Sequence, residues 1–108
     1  MKSPVLLCIV LIHASLARGQ NTFVAVVKDN ETKEPLFGAT VLVQGTTNGG
    51  VSDRNGLVDI MNIPDGQQVL IFRFIGFEER AESFDFPVTQ TEPAEIFLSE
   101  SEEELEEV

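Results

Sequence analysis

Three features of the sequence predict an all-β fold in which two sheets pack face to face. Short apolar runs recur along the chain, most with the in-out alternation of a half-buried strand, and residues 22–98 carry no competing helical period. Turn signals built from Gly, Pro, Asn and Asp separate those runs at short intervals. Residues 34–56 concentrate both: a Pro turn, an alternating strand, a Gly-Thr-Thr-Asn-Gly-Gly reversal and an Asp-x-Asn-Gly turn. Six to seven strands fit between Thr22 and Leu98, in the one domain that 108 residues allow.

Residues 1–19 read as a secretory signal peptide. Lys2 supplies the positive start, residues 5–12 the apolar stretch and residues 14–19 are mostly small. The apolar stretch is shorter than the roughly 20 residues that span a bilayer, so no transmembrane segment is expected in the mature chain. Ala17 and Gly19 occupy the −3 and −1 places of a cleavage site, which puts processing between Gly19 and Gln20, with cleavage after Ala17 as the alternative. Cys8 follows Leu7, where a lipoprotein signal needs a small residue, so lipidation is not expected.

The first strand, residues 22–28, is β-branched and aromatic, with Phe23, Ala25 and Val27 on one face and Val24 and Val26 on the other. A polar turn ending at Pro35 comes next, and within it Asn30-Glu31-Thr32 has the pattern of a glycosylation acceptor for a eukaryotic secretory context. Residues 39–44 form the second strand, with Ala39, Val41 and Val43 sharing a face. Residues 45–50 make a glycine-rich bend, residues 51–53 a brief strand, and Asn55-Gly56 a hairpin turn, since both residues tolerate φ > 0.

The returning strand at residues 57–61 is expected to turn Leu57 and Ile60 inward around a local irregularity. After the Pro64-Asp65-Gly66 turn, residues 68–75 are apolar on both faces apart from Arg73, which predicts a central, doubly covered strand with Arg73 as a guard against aggregation. Gly76-Phe77 ends it. Residues 78–86 form an outer strand whose charges protect an edge, residues 87–93 a loop and residues 94–98 the last strand. Residues 99–108 then carry six glutamates, so a disordered or weakly helical linker is expected.

Composition narrows the function. Seven Lys and Arg against 18 Asp and Glu give a net charge of −11, which repels nucleic-acid backbones and anionic lipid. The one cysteine and the one histidine, Cys8 and His13, both fall in the signal segment, and there is no Trp or Tyr. The mature chain thus lacks the usual general base, thiolate and zinc ligands, and no disulfide can form. No catalytic residue, metal or cofactor is assigned.

Several sharper readings give way to turn chemistry. Residues 53–59 partly imitate a calcium loop but lack its bidentate Glu and remaining oxygen positions; Asp53 is expected instead to bond nearby backbone N–H groups. Gly45, Gly49 and Gly50 resemble a phosphate cradle, yet no Lys-Ser/Thr or helix comes after them. Ser52, Asp53, Asp59 and Glu95 offer oxygens but nothing that activates a serine. A sugar platform would need Trp or Tyr rings, whereas the eight Phe are mostly required by the core. Pro35, Gly38, Gly45, Gly49, Asp53, Asn55, Gly56 and Gly76 are accordingly read as a turn signature.

The combination of Thr32-Lys33-Glu34-Pro35-Leu36, Gly38-Ala39-Thr40-Val41, Val43-Gln44-Gly45-Thr46-Thr47-Asn48-Gly49, Asp53-Arg54-Asn55-Gly56 and Phe74-Ile75-Gly76-Phe77-Glu78 resembles the carboxypeptidase regulatory-like domain. The form it is similar to stands at the N-terminus of bacterial TonB-dependent outer-membrane receptors. That resemblance implies a seven-stranded, transthyretin-like (prealbumin-like) Greek-key β-sandwich at residues 20–98. The acidic linker at residues 99–108 would then lead into a TonB box, whose start Leu105, Glu106, Glu107 and Val108 match. The plug and barrel of a transporter are not among these residues, so the expected role is a non-catalytic accessory domain, or the N-terminal portion, of a receptor for nutrient uptake. It would sit on the periplasmic side of the outer membrane, with a TonB-type energy transducer or outer-membrane receptor and lipoprotein components as partners. The alternative is a free-standing exported structural or adhesion-type sandwich without a transducer.

Overall fold

The computed structural model describes residues 20–102. The expected signal peptide, ending at Gly19, and the Leu105, Glu106, Glu107 and Val108 segment lie outside the described residues. Seven strands succeed one another: β1 (Asn21–Asp29), β2 (Thr40–Val43), β3 (Gly49–Val51), β4 (Leu57–Ile63), β5 (Gly66–Arg73), β6 (Arg80–Phe86) and β7 (Ala94–Leu98). They build a three-stranded sheet of order β4-β1-β7 and a four-stranded sheet of order β3-β2-β5-β6. β1 and β7 pair in parallel and every other pair is antiparallel.

Strict alternation puts Phe23, Ala25 and Val27 of β1 into the core, opposite Val41 and Val43 of β2 and Leu70 and Phe72 of β5, all 3 % exposed or less. Ile96 and Leu98 of β7 and Phe86 of β6 complete the two inner faces. Phe23 lies 4.5 Å from Phe84 and 5.9 Å from Phe86, ring centre to ring centre, so three Phe rings fill the end where the chain enters.

β4 contains a bulge, but it lies between Ile60 and Ile63 and not between Leu57 and Ile60, the expected place of the irregularity. Asn21 pairs with Ile63 while Phe23 pairs with Ile60, so β4 uses one residue more than β1 over this stretch, and Asn62 takes a φ of 58° there. The bulge returns Ile63 to the core. The expected inward pair is half corrected: Ile60 is buried, but Val58, opposite Ala25, takes the inner place and Leu57 remains half-buried. The stretch Leu57–Ile60 alternates without a break, so Val58 shares the inner face with Ile60.

β5 is central in its sheet, between β2 and β6, but it is not covered on both sides by layers. Its outer residue Ile71 is 9 % exposed because Leu42 and Ala81 flank it on the neighbouring strands. Lateral shielding of this kind accounts for an apolar residue on an outward face. The β6 strand, as its charges suggest, is an edge. The brief strand expected at residues 51–53 lies earlier, at Gly49–Val51; Ser52 stays opposite Ala39 but receives the Ala39 N–H on its side-chain Oγ and not on its backbone carbonyl.

Two contacts close the open sides of the sandwich. On one side β3 approaches β4 so closely that a Cβ on Gly50 would meet Val58 Cγ2 at 2.8 Å. On the other, Arg80 Nη1 of β6 donates to the Phe97 carbonyl of β7 at 2.8 Å.

Candidate functional site

The turn-signature residues fall into two groups. Pro35, Gly38, Asp53, Asn55, Gly56 and Gly76 gather at the end of the sandwich where β1 finishes. Gly45 and Gly49 belong to the turn and strand that come after β2. At the first end Pro35 bridges to Lys28, and the Gly56 carbonyl accepts the Val27 N–H at 2.8 Å. Gly56 has a φ of 81°, and a Cβ there would sit 2.7 Å from the Val27 oxygen. Glycine is required on both counts.

Asp53 occupies itself with the turn. Its Oδ1 accepts the Asn55 N–H at 2.9 Å and the Leu57 N–H at 3.0 Å, while its carbonyl accepts the Gly56 N–H at 2.9 Å. Ser52, considered above as a nucleophile, is 1 % exposed, and its Oγ is committed to backbone on both sides. It accepts the Ala39 N–H at 2.8 Å and donates to the Leu36 carbonyl at 2.6 Å. The hydroxyl thus pins the strap at residues 36–39 to the β3–β4 turn. Glu95 pairs with Lys28 at 2.9 Å, and Asp59 is exposed on β4, so the oxygens named in the sequence are spread over turn, strand face and core. No group of three His, Cys, Asp or Glu residues suited to a metal occurs among the described residues.

The glycine-rich bend is a packing device. A Cβ on Gly49 would stand 2.2 Å from the Val41 oxygen, so β3 reaches β2 only because no side chain intervenes. Gly45 has open space around it but a φ of 84°, which makes it a conformational glycine instead.

Sequence reasoning missed two features of the architecture. Gln90, in the loop before β7, donates its amide to the Val24 carbonyl at 2.9 Å and accepts the Val24 N–H at 3.0 Å. β7 begins opposite Ala25, so the side-chain amide of Gln90 stands in for a peptide unit that β7 is too short to provide. The second feature is an apolar end. Between β5 and β6 the chain makes an excursion tied down by residues 99–101: the Glu78 N–H donates to the Ser99 carbonyl at 2.8 Å and the Ser101 N–H to the Gly76 carbonyl at 2.9 Å. The linker expected from residue 99 therefore starts as a paired segment, with Phe77 bridging Glu100. Phe74 and Phe77 stack edge to face, 5.3 Å apart, and together with Ile75, Gly38, Thr40 and Arg73 they line an open cleft of about 560 Å³. A Phe-rich stretch around Gly76 is the one local signal for it. Phe37, next to Gly38, is 63 % exposed and so departs from the expected use of Phe in the core.

Among the described residues no helix is long and apolar enough to cross a membrane. Among curated proteins none matches the sequence. Of solved structures, two chains of type II cohesin–X-dockerin complexes from Acetivibrio cellulolyticus are similar in fold. One, from an N-terminal interface mutant of the complex, aligns with a TM-score of 0.56 at 20 % identity over 72 % of this chain and 56 % of its own. The other, from a C-terminal interface mutant, aligns with a TM-score of 0.53 at 25 % identity over 73 % of this chain and 51 % of its own. This chain thus spans little more than half the length of either. The family profile of the CarboxypepD_reg-like domain matches residues 26–108, from within β1 to the last residue. Two sheets, seven strands and that match agree with the motifs quoted above: the chain belongs to the carboxypeptidase regulatory-like domain family.

Proposed function

We propose that this protein is a non-catalytic, exported accessory domain of the TonB-dependent receptor type, a spacer with contact surfaces that serves nutrient uptake at the periplasmic side of the outer membrane. The observation that carries the reading is the placement of the first and last strands. β1 starts at Asn21, and Leu98 lies beside Asp29 at its other end, because β7 runs parallel to β1. Eight strand steps of about 3.3 Å separate them by about 26 Å. A domain so threaded transmits position along its length: the points where the chain enters β1 and leaves β7 stand at opposite poles. The buried, backbone-bonded Ser52 and the dispersed carboxylates support a non-catalytic role.

In this reading Leu105, Glu106, Glu107 and Val108 begin an extended segment that adds as a strand to the transducer, where main-chain hydrogen bonds supply most of the affinity. Binding of the exported chain to the periplasmic part of TonB, measured by biolayer interferometry, tests it. Binding is expected, and the Leu105→Ser, Val108→Ser double variant is expected to lose it. Absence of binding up to about 1 mM, where a contact is worth only about 4 kcal/mol, would sink a direct transducer role. A second reading, an exported interaction module without a transducer, draws support from the likeness to chains of a protein–protein complex. It is favoured if the unaltered chain ignores TonB.

A further inference from the structure

We propose that the pole carrying Phe37, Ile75 and Phe77 is a docking site for a protein segment that presents an apolar side chain flanked by basic residues. Ile75 is 89 % exposed and Phe37 63 %, the two most exposed of the large apolar side chains described. Ile75 does not ride on a loose loop. Its excursion is closed by the Phe77 N–H to Phe74 carbonyl bond at 2.9 Å and fastened by the two backbone bonds to residues 99–101. The Phe74–Phe77 ring pair lines the same cleft as Ile75. A rigid platform that holds apolar groups in water is preorganised, so little ordering cost remains when a partner covers it.

Charge selects the partner. Glu79 stands at the cleft, Glu78 belongs to the same excursion, and Glu100 lines the adjoining hollow with Gly76 and Phe77. Arg73 and Glu79 pair with each other at 2.9 Å and cancel, which leaves Glu78 and Glu100 as the net charge of the rim. An acidic rim around an apolar floor complements lysine or arginine around an apolar tip. A second copy of this chain, at a net charge of −11, would be repelled. The chain's own residues 103–108 would bring four more glutamates to the same rim, which disfavours them as the occupant. The site needs none of those residues, so its fate is independent of the transducer reading.

The test is amide NMR of the exported chain titrated with three synthetic hexapeptides: a leucine–phenylalanine core flanked by lysines, the same core flanked by glutamates, and a glycine core flanked by lysines. The first alone is expected to bind, shifting the amides of Gly38, Ile75, Phe77 and Ser101. The Phe37→Ser, Ile75→Ser double variant should weaken it about tenfold or more, as truncation of interface anchors does. Its melting temperature should be unchanged, because both side chains lie in water. Equal binding of the glycine-core peptide, shifts confined to the outer face around Leu42 and Val51, or unchanged affinity in the double variant would each overturn the proposal. So would tighter peptide binding in a Leu105→Ser, Val108→Ser variant, which would identify the tail as the occupant.

Discussion

Replacing Ser52 by alanine tests how the sandwich is locked. The hydroxyl is buried and makes two hydrogen bonds, from the Ala39 N–H at 2.8 Å and to the Leu36 carbonyl at 2.6 Å. Alanine removes both and leaves two backbone groups facing a space that held one oxygen. An unsatisfied buried polar group costs about 1–3 kcal/mol, and partial relaxation of the strap toward water lowers the sum, so a loss of about 2–4 kcal/mol is expected. Folded domains hold about 0.05–0.15 kcal/mol per residue, or roughly 4–12 kcal/mol for some 80 residues, so this one oxygen commands a large share. In a domain of this size each kcal/mol moves Tm by about 4–8 °C, which places the variant about 10–30 °C lower. Chemical denaturation with an unchanged m-value is the assay, and Ser83→Ala, on the exposed edge strand β6, is the control, expected to stay within about 0.5 kcal/mol. If Ser52→Ala falls within that same margin, the hydroxyl is not the lock described.

The remaining expectations concern glycines, the surrogate peptide, the Asp turn and the core. Gly49→Ala should cost about 2 kcal/mol or more, since its Cβ would overlap the Val41 carbonyl, and hydrogen exchange should quicken at the Val43 amide; Gly45→Ala, strained only in φ, should cost about 1–2 kcal/mol. Gln90→Ala strands the N–H and C=O of Val24, and a loss of about 1–2 kcal/mol with faster exchange at Val24 is expected in denaturation and NMR. Asp53→Ala frees two turn N–H groups that water reaches, so about 1 kcal/mol should be lost, and Asp53→Asn should recover most of it. Phe23→Ala, which empties the ring cluster with Phe84 and Phe86, should cost about 3–5 kcal/mol by denaturation.

Much of the fold was legible because it is written in short-range patterns. Alternation at Phe23, Ala25 and Val27 or at Ala39, Val41 and Val43 needs only the two-residue period of a strand to choose a face. Asn55-Gly56 and Pro64-Asp65-Gly66 mark reversals through backbone preferences that belong to those residues alone. Where the reading fails, it fails in a definite way. With Ile60 inward the two-residue period already selects Val58 over Leu57, and the expectation of Leu57 fails because it assumes a break between Leu57 and Ile60, whereas the register breaks only between Ile60 and Ile63. Residues 68–75 carry apolar side chains on both faces, but the shelter of Ile71 comes from neighbouring strands and not from a second layer.

The candidate site was less legible. Ser52 reads in sequence as one more serine near an Asp, and its role depends on the strap at residues 36–39, which leads into the neighbouring strand β2. Gln90 finds Val24 across 66 positions. The acid-rimmed apolar pole joins Gly38, residues 73–79 and residues 99–101, three parts of the chain that only the packing brings to one end.

By itself the sequence determined an all-β chain with its strands, turns, acidic charge and family motifs, because side-chain period, φ preference and charge are properties of residues and their near neighbours. The tertiary structure alone decided which strands share a sheet, that the chain enters and leaves the sandwich at opposite poles, and that an apolar platform stands exposed at one of them. Those depend on contacts between distant residues, where register and packing select among local options that are nearly equal in energy.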